Sequence, residues 1–235
     1  MAVPMILVAV FHEKQLNRSR IIIYMKKLLI FDLDGTLSDS SEGILYCYRK
    51  TGEAFGKTDI PEKSLRSGLG GPFVENMVRI LGIPQEKIMD GVKVYVSHYI
   101  EKGFSMCSGF PRTREALEGL RTKGYILCVA TMMVEEFSIK TLEKLGIRDL
   151  FLSVRGTNLK TAISKRELIE KCLADAGATV EEAVMIGDSL DDLGAAESIG
   201  MDFVAASYGY GLPKELCEER GITYVEEPIG LCDIL

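Results

Sequence analysis

The sequence predicts an α/β fold in which a parallel sheet lies between two layers of helices, with a helical domain inserted after the first strand. Short apolar runs alternate with longer stretches of helical periodicity from Met25 onward, a pattern typical of a sheet covered on both faces. One long segment near the start contains only helical patterns. The chain of 235 residues is long enough to bury a sizeable core.

Five apolar runs are predicted to form the strands: residues 27–31, 125–130, 150–154, 183–186 and 202–205. Between them the spacing of apolar residues predicts helices over 115–123, 134–145 and 165–176. Each of these helices is followed at once by a glycine, which is a common signal for the end of a helix. This order of elements favours a three-layer α/β/α core.

The segment between the first and second of these strands breaks the alternation. Helices are predicted there over 41–55, 61–69, 72–81 and 84–102, and three of them begin at prolines, which suit the first turn of a helix. We therefore predict a core of residues 25–39 and 108–235 and a helical cap of residues 40–107, called the cap segment below. Ligands of open α/β sheets bind beyond the carboxyl ends of the strands, so the cap should lie over the site. The glycine-rich residues 68–71 suit a loop facing the site and a plain interhelical turn equally well.

The first 24 residues contain two apolar stretches separated by a polar one. They are too short to span a bilayer, and their positive charges follow the apolar run, whereas in a signal peptide they precede it. We expect residues 1–24 to be an extension that the fold does not need. The net charge of −6 offers no basic surface for nucleic acid or an anionic membrane. We expect a cytoplasmic protein with neither partner, in which a small anionic substrate is bound by local positive charge.

Six cysteines are scattered along the chain without a Cys-x-x-Cys pair. A zinc site is the sharper alternative, but no spacing of cysteine and histidine supports it, and the chain has only two histidines. We interpret the cysteines as reduced residues that pack in the interior.

Two carboxylates follow the first strand at positions i and i+2. Asp32 and Asp34 therefore lie on one face while Leu33 turns into the core, and Gly35 permits a sharp bend just beyond them. Two anions this close raise each other's pKa unless a cation lies between them. The pair implies a bound metal or a shared proton, and hard oxygen ligands favour Mg²⁺.

Polar residues also follow two later strands. Thr131 comes after the run 126–130, and its hydroxyl could bind a phosphate oxygen, although a threonine at a strand end is usually structural. Residues 187–192 place a second group of carboxylates at a turn into a helix. Asp188 or Ser189 could serve there simply to cap the helix. Two lysines, Lys160 and Lys165, lie in or after the polar loop between these strands, where most lysines are merely solvated.

These motifs together resemble the haloacid dehalogenase superfamily, in the branch with a helical cap after the first strand. Residues 31–39 are similar to its first motif, Thr131 falls at its second, and residues 187–192 are similar to its fourth. The resemblance extends from Met25 to the C-terminus and implies a Rossmann-like core. The set in this order is far more specific than a lone Asp-x-Asp.

The resemblance implies roles for five residues. Asp32 would be the nucleophile that forms an aspartyl phosphate, and Asp34 the general acid and base. Mg²⁺ would be bound by Asp32, the backbone carbonyl of Asp34 and Asp188. Thr131 and a lysine would bind the phosphoryl oxygens. We favour Lys165 as that lysine, because it opens a helix whose amides also attract anions.

Lys160 competes with Lys165 for the phosphate-binding role, since the family's third motif is a lysine at variable distance. Asp192 would orient that lysine or a metal-bound water. After Thr131 the chain has Met132 and Met133 where many relatives carry Asn and Lys, so substrate recognition should differ from theirs.

The acid at Asp34 implies a phosphatase or a phosphomutase, because dehalogenases of this superfamily lack it. Residues 207–211 and 213–216 resemble phosphoglycolate phosphatases. The leading hypothesis is a Mg²⁺-dependent hydrolase of a small phosphorylated metabolite, phosphoglycolate-like or a sugar phosphate. A β-phosphoglucomutase-like phosphotransferase and a non-catalytic phosphometabolite sensor are the alternatives. The sequence does not indicate the oligomeric state, or which of the cap residues Arg49, Lys57, Arg66 and Phe73 set specificity.

Overall fold

The computed structural model describes residues 26–71, 73–158, 161 and 163–235. Within these residues the main sheet has six parallel strands: β1 (Leu28–Phe31), β4 (Ile126–Val134), β5 (Ser153–Thr157), β6 (Ala183–Gly187), β7 (Asp202–Ala206) and β8 (Tyr224–Val225). Their order across the sheet is β5-β4-β1-β6-β7-β8. The predicted fold class, a parallel sheet covered by helices, is confirmed.

Strand β1 lies at the centre of the sheet and is buried on both faces. Leu28 and Ile30 belong to one apolar cluster, whereas Leu29 and Phe31 belong to the other. All four side chains are at most 1% exposed, because side chains alternate between the two faces of a strand and a helical layer covers each face. This explains why β1 reads as a continuous apolar run.

Helices of the core cover the two faces of the sheet. The face of Leu29 and Phe31 is covered by α5 (Thr113–Thr122), α6 (Glu135–Lys144) and α10 (Leu231–Ile234), and the opposite face by α7 (Lys165–Ala176) and α8 (Leu190–Glu197). Helix α9 (Lys214–Arg220) packs at the end of the sheet through Cys217. Helix α7 has the bounds that periodicity predicts.

The described part of the cap segment contains four α-helices: α1 (Ser41–Ala54), α2 (Glu62–Arg66), α3 (Phe73–Arg79) and α4 (Ile88–Glu101). They share an apolar cluster of their own, which includes Leu45, Leu65 and Met77. A two-stranded antiparallel sheet of β2 (Ser38–Asp39) and β3 (Ser108–Gly109) joins the chain where it leaves the core to the chain where it returns. The two linkers of the cap segment are thus hydrogen-bonded to each other.

Several predicted boundaries differ from the structure. The predicted strand 150–154 begins three residues late, at Ser153, because Arg148–Leu150 forms a 3-10 turn whose Leu150 is buried in the core. The predicted helix 84–102 starts as a 3-10 turn over Gln85–Lys87, and helix α2 ends at Arg66. Sequence analysis missed β2, β3 and β8, each only two residues long. Residues 1–24, Pro72 and Lys160 lie outside the described residues.

Candidate active site

The site lies at the carboxyl edge of the three central strands. Asp32 follows β1, Asp188 follows β6, and Thr131 lies on β4. The register pairs Phe31 with Val129 on one side and with Ile186 on the other. Asp32, Thr131 and Asp188 lie one or two residues further along these strands, so they reach the sheet edge at nearly the same height. Parallel strands bring their carboxyl ends to one edge, and this topology gathers residues that are about 150 positions apart in the sequence.

Lys165 is the cation of this group. Its ammonium donates to Asp32 Oδ1 at 2.5 Å and to the carbonyl oxygen of Ala130 at 2.9 Å, and it lies 2.7 Å from Asp192 Oδ1. The side chain is buried although it opens helix α7, whose start is fixed by a capping box between Ser164 and Glu167. The sheet edge thus contains a buried lysine between two buried carboxylates.

Asp192 has two functions in the structure. Its Oδ2 accepts hydrogen bonds from the amide and the hydroxyl of Ser189, at 3.2 and 2.6 Å, while Oδ1 faces Lys165. Ser189 in turn caps helix α8 by accepting from the amide of Asp192. Ser189 therefore does the capping, and Asp188 is free to face the site.

Asp188 is held by main-chain and hydroxyl groups, and no lysine of the described residues pairs with it. Its Oδ2 accepts from the amide of Tyr210 at 2.7 Å, and its Oδ1 is 3.4 Å from the hydroxyl of Thr36. The bend at Gly35 lies so close that a Cβ there would come within 2.2 Å of Asp188 Oδ2. Gly35 also has a φ of +85°, so both its backbone and its surroundings require glycine.

Asp34 lies on the loop that follows β1, beside Ser38, with which it forms an isolated bridge. Its Oδ1 is buried without a hydrogen-bond partner among the described residues. A buried carboxylate oxygen that lacks a partner costs free energy, and such orphans are often found where a ligand or ion binds. The structure brings Asp34 to the same edge as Asp32, with an acceptor still to be satisfied.

Among the described residues, the site has one cation, Lys165, and several anions. Burial, together with the charges of Asp192 and Asp34, raises the pKa of Asp32 to about 7 against the attraction of Lys165. Burial also raises the pKa of Asp34 and Asp188, the latter well above its ordinary value. Burial alone would lower the pKa of Lys165, but Asp192 and Asp32 outweigh it and raise that pKa. The carboxylates are short of positive charge.

The donor set fits a divalent cation. Asp32, Asp188 and Asp192 each offer a carboxylate oxygen, and these oxygens lie within 4.8 Å of one another. The buried hard oxygens, the partnerless Oδ1 of Asp34 and the deficit of positive charge all suit Mg²⁺. The expected ligands were Asp32, the Asp34 carbonyl and Asp188. Asp192, expected beside the lysine, is close enough to join them.

Thr131 is buried at this edge, but strand β4 continues past it to Val134, so it does not end the strand as predicted. The register of the pairing with β5 shifts between Ala130 and Val134, and this irregularity changes the direction of the chain. The Thr131 hydroxyl accepts from the amide of Met133 at 3.1 Å. The hydroxyl of Tyr99 in the cap segment lies 3.7 Å from the sulfur of Met133.

The charged cap candidates do not reach the site. Arg49 and Arg66 both form ion pairs with Glu62 on the surface, and Lys57 is exposed. Phe73 belongs to a row of aromatic rings with Tyr95, whose centroid is 4.7 Å away. The cap segment thus contributes aromatic contacts, while its named cations remain in solvent.

Tyr208 and Tyr210 were missed as site residues. Both lie on the loop of residues 207–211 after β7, and they contact the bend after β1 and the first linker of the cap segment. Sequence analysis linked this stretch only to a resemblance in substrate, although two tyrosines between glycines after a strand signal a structured loop. Their partners lie about 170 residues earlier in the chain, which no local pattern reveals.

Comparison with known families agrees with this geometry. Residues 29–206 match the model of the haloacid dehalogenase-like hydrolase family. The chain belongs to this family. The expected superfamily is thereby confirmed, and with it the expected class of enzyme, a hydrolase.

Similar proteins carry several different names. The chain is 33% identical over 186 residues to the tyrosine-protein kinase PtkA of Mycobacterium tuberculosis, covering 79% of this chain and 63% of that protein. It is 28% identical over 211 residues to a 5'-nucleotidase of Pseudomonas aeruginosa, covering 88% of this chain and 94% of that protein. It is also 28% identical to a phosphoglycolate phosphatase of Aquifex aeolicus, over 78% of this chain and 86% of that protein.

Solved structures of the same family superpose well. A haloacid dehalogenase-like hydrolase of Streptococcus pneumoniae has a TM-score of 0.81 at 26% identity, covering 89% of this chain and 98% of the other. A phosphatase structure from Clostridium difficile, described as putative, has a TM-score of 0.78 at 30% identity, over 89% and 98% of the two chains. The described helices include none that is both long and apolar enough to cross a membrane.

Proposed function

We propose that this hydrolase removes the phosphoryl group of a small phosphorylated metabolite, with Mg²⁺ as cofactor. The observation that carries the proposal is that Asp32, Asp188 and Asp192 meet at one sheet edge, where buried Lys165 pairs with Asp32 and Asp192. Beside them is an Asp34 oxygen without a hydrogen-bond partner among the described residues. Such a site offers a nucleophile, a second acid and a positive charge for phosphoryl oxygens. Relatives named phosphoglycolate phosphatase and 5'-nucleotidase support phosphomonoesters as the substrate class.

In the first step Asp32 attacks phosphorus through a carboxylate oxygen, and the bond from phosphorus to the ester oxygen breaks. The leaving alkoxide takes a proton from Asp34, whose pKa is raised by burial, so it holds a proton more readily than an exposed aspartate does. The product of this step is an aspartyl phosphate on Asp32. Lys165 orients Asp32 and places positive charge beside the transferring group.

In the second step Asp34, now a carboxylate, removes a proton from water. The water oxygen attacks phosphorus, the bond to Asp32 breaks and inorganic phosphate leaves. Thr131 is positioned at the same edge to bind phosphoryl oxygens. Asp192 keeps Lys165 directed toward Asp32.

Bound Mg²⁺ would be held by Asp32, Asp188 and the carbonyl of Asp34, and it would offset the negative charge of nucleophile and phosphate. We also propose that residues 40–107 act as a cap that closes over the substrate. Enzymes with such lids exclude bulk water during transfer. The two linkers joined in β2 and β3 give this segment a narrow base on which to move.

The test is phosphate release by the purified full chain from a panel of phosphoglycolate, sugar phosphates, nucleoside monophosphates and an aryl phosphate. We expect turnover with Mg²⁺ at pH 6 to 8 and its loss in EDTA. Asp32→Asn should lower turnover by about 10⁴-fold or more while circular dichroism stays unchanged. Asp191→Asn is the matched control, because Asp191 is next to Asp192 in the sequence but is not one of the three clustered acids, Asp32, Asp188 and Asp192.

Three outcomes would contradict the proposal. Conversion of one sugar phosphate to its isomer with little phosphate released would indicate a phosphomutase. Phosphate binding without turnover of any ester would indicate a sensor. Full activity of Asp32→Asn would remove the nucleophile from the mechanism.

A further inference from the structure

The loop of residues 207–211 contacts Asp188 through its main chain. The amide of Tyr210 donates to Asp188 Oδ2 at 2.7 Å, and the amide of Gly211 donates to the carbonyl oxygen of Asp188 at 3.1 Å. A Cβ at Gly209 would lie 2.3 Å from Asp188 Cβ, so the loop approaches the acid as closely as backbone allows. The position of Asp188 and the position of this loop are therefore coupled.

The side chain of Tyr210 points the other way, to the first linker of the cap segment. Its hydroxyl accepts from the amide of Ser40 at 2.8 Å and donates to Asp39 Oδ1 at 2.9 Å. The Asp39 carboxylate also accepts from the amide and the hydroxyl of Ser41, where helix α1 begins. Burial alone would raise the pKa of Asp39, but these hydrogen bonds from Ser41 and Tyr210 outweigh it and lower that pKa.

The same loop meets the cap segment at further points. Tyr208 donates to the carbonyl oxygen of Thr36 at 2.9 Å, and its ring lies 4.8 Å from that of Phe110 just after the second linker. Gly70, in the glycine-rich turn of the cap segment, approaches Tyr210 so closely that a Cβ there would be 3.3 Å from Tyr210 Cβ. The Tyr210 hydroxyl binds residues of the first linker, which leads into α1, whereas the Tyr208 hydroxyl binds Thr36, which precedes that linker.

We propose that Tyr210 is a positioning residue that couples the cap segment to the acid Asp188, through its hydroxyl on Asp39 and Ser40 and its amide on Asp188. The inference rests on the proposed function, in which Asp188 binds Mg²⁺ and the cap segment closes over substrate. Binding of Mg²⁺ would order Asp188 and then the loop of residues 207–211. The Tyr210 hydroxyl would extend this ordering to the first linker. The cap segment is thereby held in the closed arrangement when the site is loaded.

The test compares hydrogen exchange of the wild type with that of Tyr210→Phe, each with and without Mg²⁺ alone. The variant keeps the ring and the amide on Asp188, so it should still bind Mg²⁺ and still show slowed exchange in residues 187–192. In the wild type Mg²⁺ should also slow exchange in residues 39–44. In Tyr210→Phe this second effect should be lost.

Tyr208→Phe is the matched control, because it removes a hydroxyl from the same loop but leaves the bonds to Asp39 and Ser40 intact. It should keep the Mg²⁺ effect on residues 39–44. In kinetics with the best phosphomonoester of the panel, Tyr210→Phe should raise KM about tenfold with a smaller change in kcat, as expected for loss of a hydrogen bond to a charged group. If Tyr210 only stabilised the fold, Tyr210→Phe would lower Tm without raising KM more than it changes kcat.

The outcomes separate the inference from the proposed function. If Mg²⁺ changes exchange at neither segment of the wild type, the metal site and the inference both fail. If Mg²⁺ slows residues 187–192 but not 39–44 of the wild type, or slows both equally in Tyr210→Phe, the metal site stands and the coupling is overturned.

Discussion

The sheet edge and the cap segment place their charges in opposite ways. At the sheet edge Asp32, Asp188, Asp192 and Lys165 are all buried, and the pKa values of Asp32, Asp188 and Lys165 are raised. In the cap segment Arg49 and its partner Glu62 are about half exposed and form a surface ion pair. Burying charge without full compensation is costly, so a protein retains it where chemistry requires it. The contrast supports the proposal that the chemistry takes place at the sheet edge.

The largest expected effect follows from removing the buried cation. Lys165→Met should lower turnover by about 10³-fold, because the phosphoryl group and Asp32 both lose their positive neighbour. It should also lower the free energy of unfolding of the metal-free protein by about 3 kcal/mol near pH 7, since two buried carboxylates lose their partner. Arg166→Met, which breaks only the exposed pair with Glu170, should change it by less than about 0.5 kcal/mol. Urea denaturation and phosphate release measure these effects.

The next effect is on the pH dependence of stability. Asp32 has a pKa of about 7 in the folded chain and an ordinary pKa of 3.8, so between these values the folded state binds a proton that the unfolded state has released. Stability of the metal-free protein should therefore fall as pH rises from 4 to 7, by on the order of 1 kcal/mol per pH unit. Saturating Mg²⁺ should remove this slope. A metal-free stability that rises over this range would show that the cluster is not short of positive charge.

Two glycines allow the two regions to be compared directly. Gly35 at the site and Gly56 in the cap segment both have positive φ, +85° and +77°, but only Gly35 has atoms within 4 Å of a Cβ position. Gly56→Ala should cost about 1 kcal/mol of backbone strain. Gly35→Ala should cost about 2 to 3 kcal/mol and lower turnover, since its methyl group displaces Asp188. Thermal unfolding of the two variants gives the difference, and equal costs would contradict the packing argument.

The smallest effect is expected for the surface of the cap segment. Arg49→Ala breaks the exposed pair with Glu62 and should change the free energy of unfolding by less than about 1 kcal/mol. It should leave kcat/KM within about twofold of the wild type, because Arg49 does not reach the site. A tenfold loss would place Arg49 in substrate binding and would weaken the contrast between the two regions.

Much of the core was predictable because parallel strands align their carboxyl ends, so a residue placed just after an apolar run is also placed in space. Asp32 and Asp188 meet for this reason. Lys165 opens helix α7, which has its predicted bounds since Ser164 and Glu167 form a local capping box. The 3-10 turn over Arg148–Leu150 was unpredictable, because an apolar run does not distinguish a buried turn from a strand.

The cap segment was predictable as helices but not as a site. Its periodicity identifies which face of each helix is buried, yet it does not indicate which neighbour covers that face. Tyr210 illustrates the same limit in the core. Its hydroxyl partners, Asp39 and Ser40, are local in space and remote in sequence, so only the fold relates them.

The short ladder of β2 and β3 has a consequence for engineering. Asp39 and Ser108 stand opposite each other as neighbours in an antiparallel pair, so the chain departs from the core and comes back at one point. A two-residue hairpin turn is the natural closure for such a pair. We expect that residues 40–107 can be exchanged for such a turn, or for a different helical module, while the sheet and its acids keep their arrangement. The core would then serve as a scaffold, and the inserted module would determine which substrate is accepted.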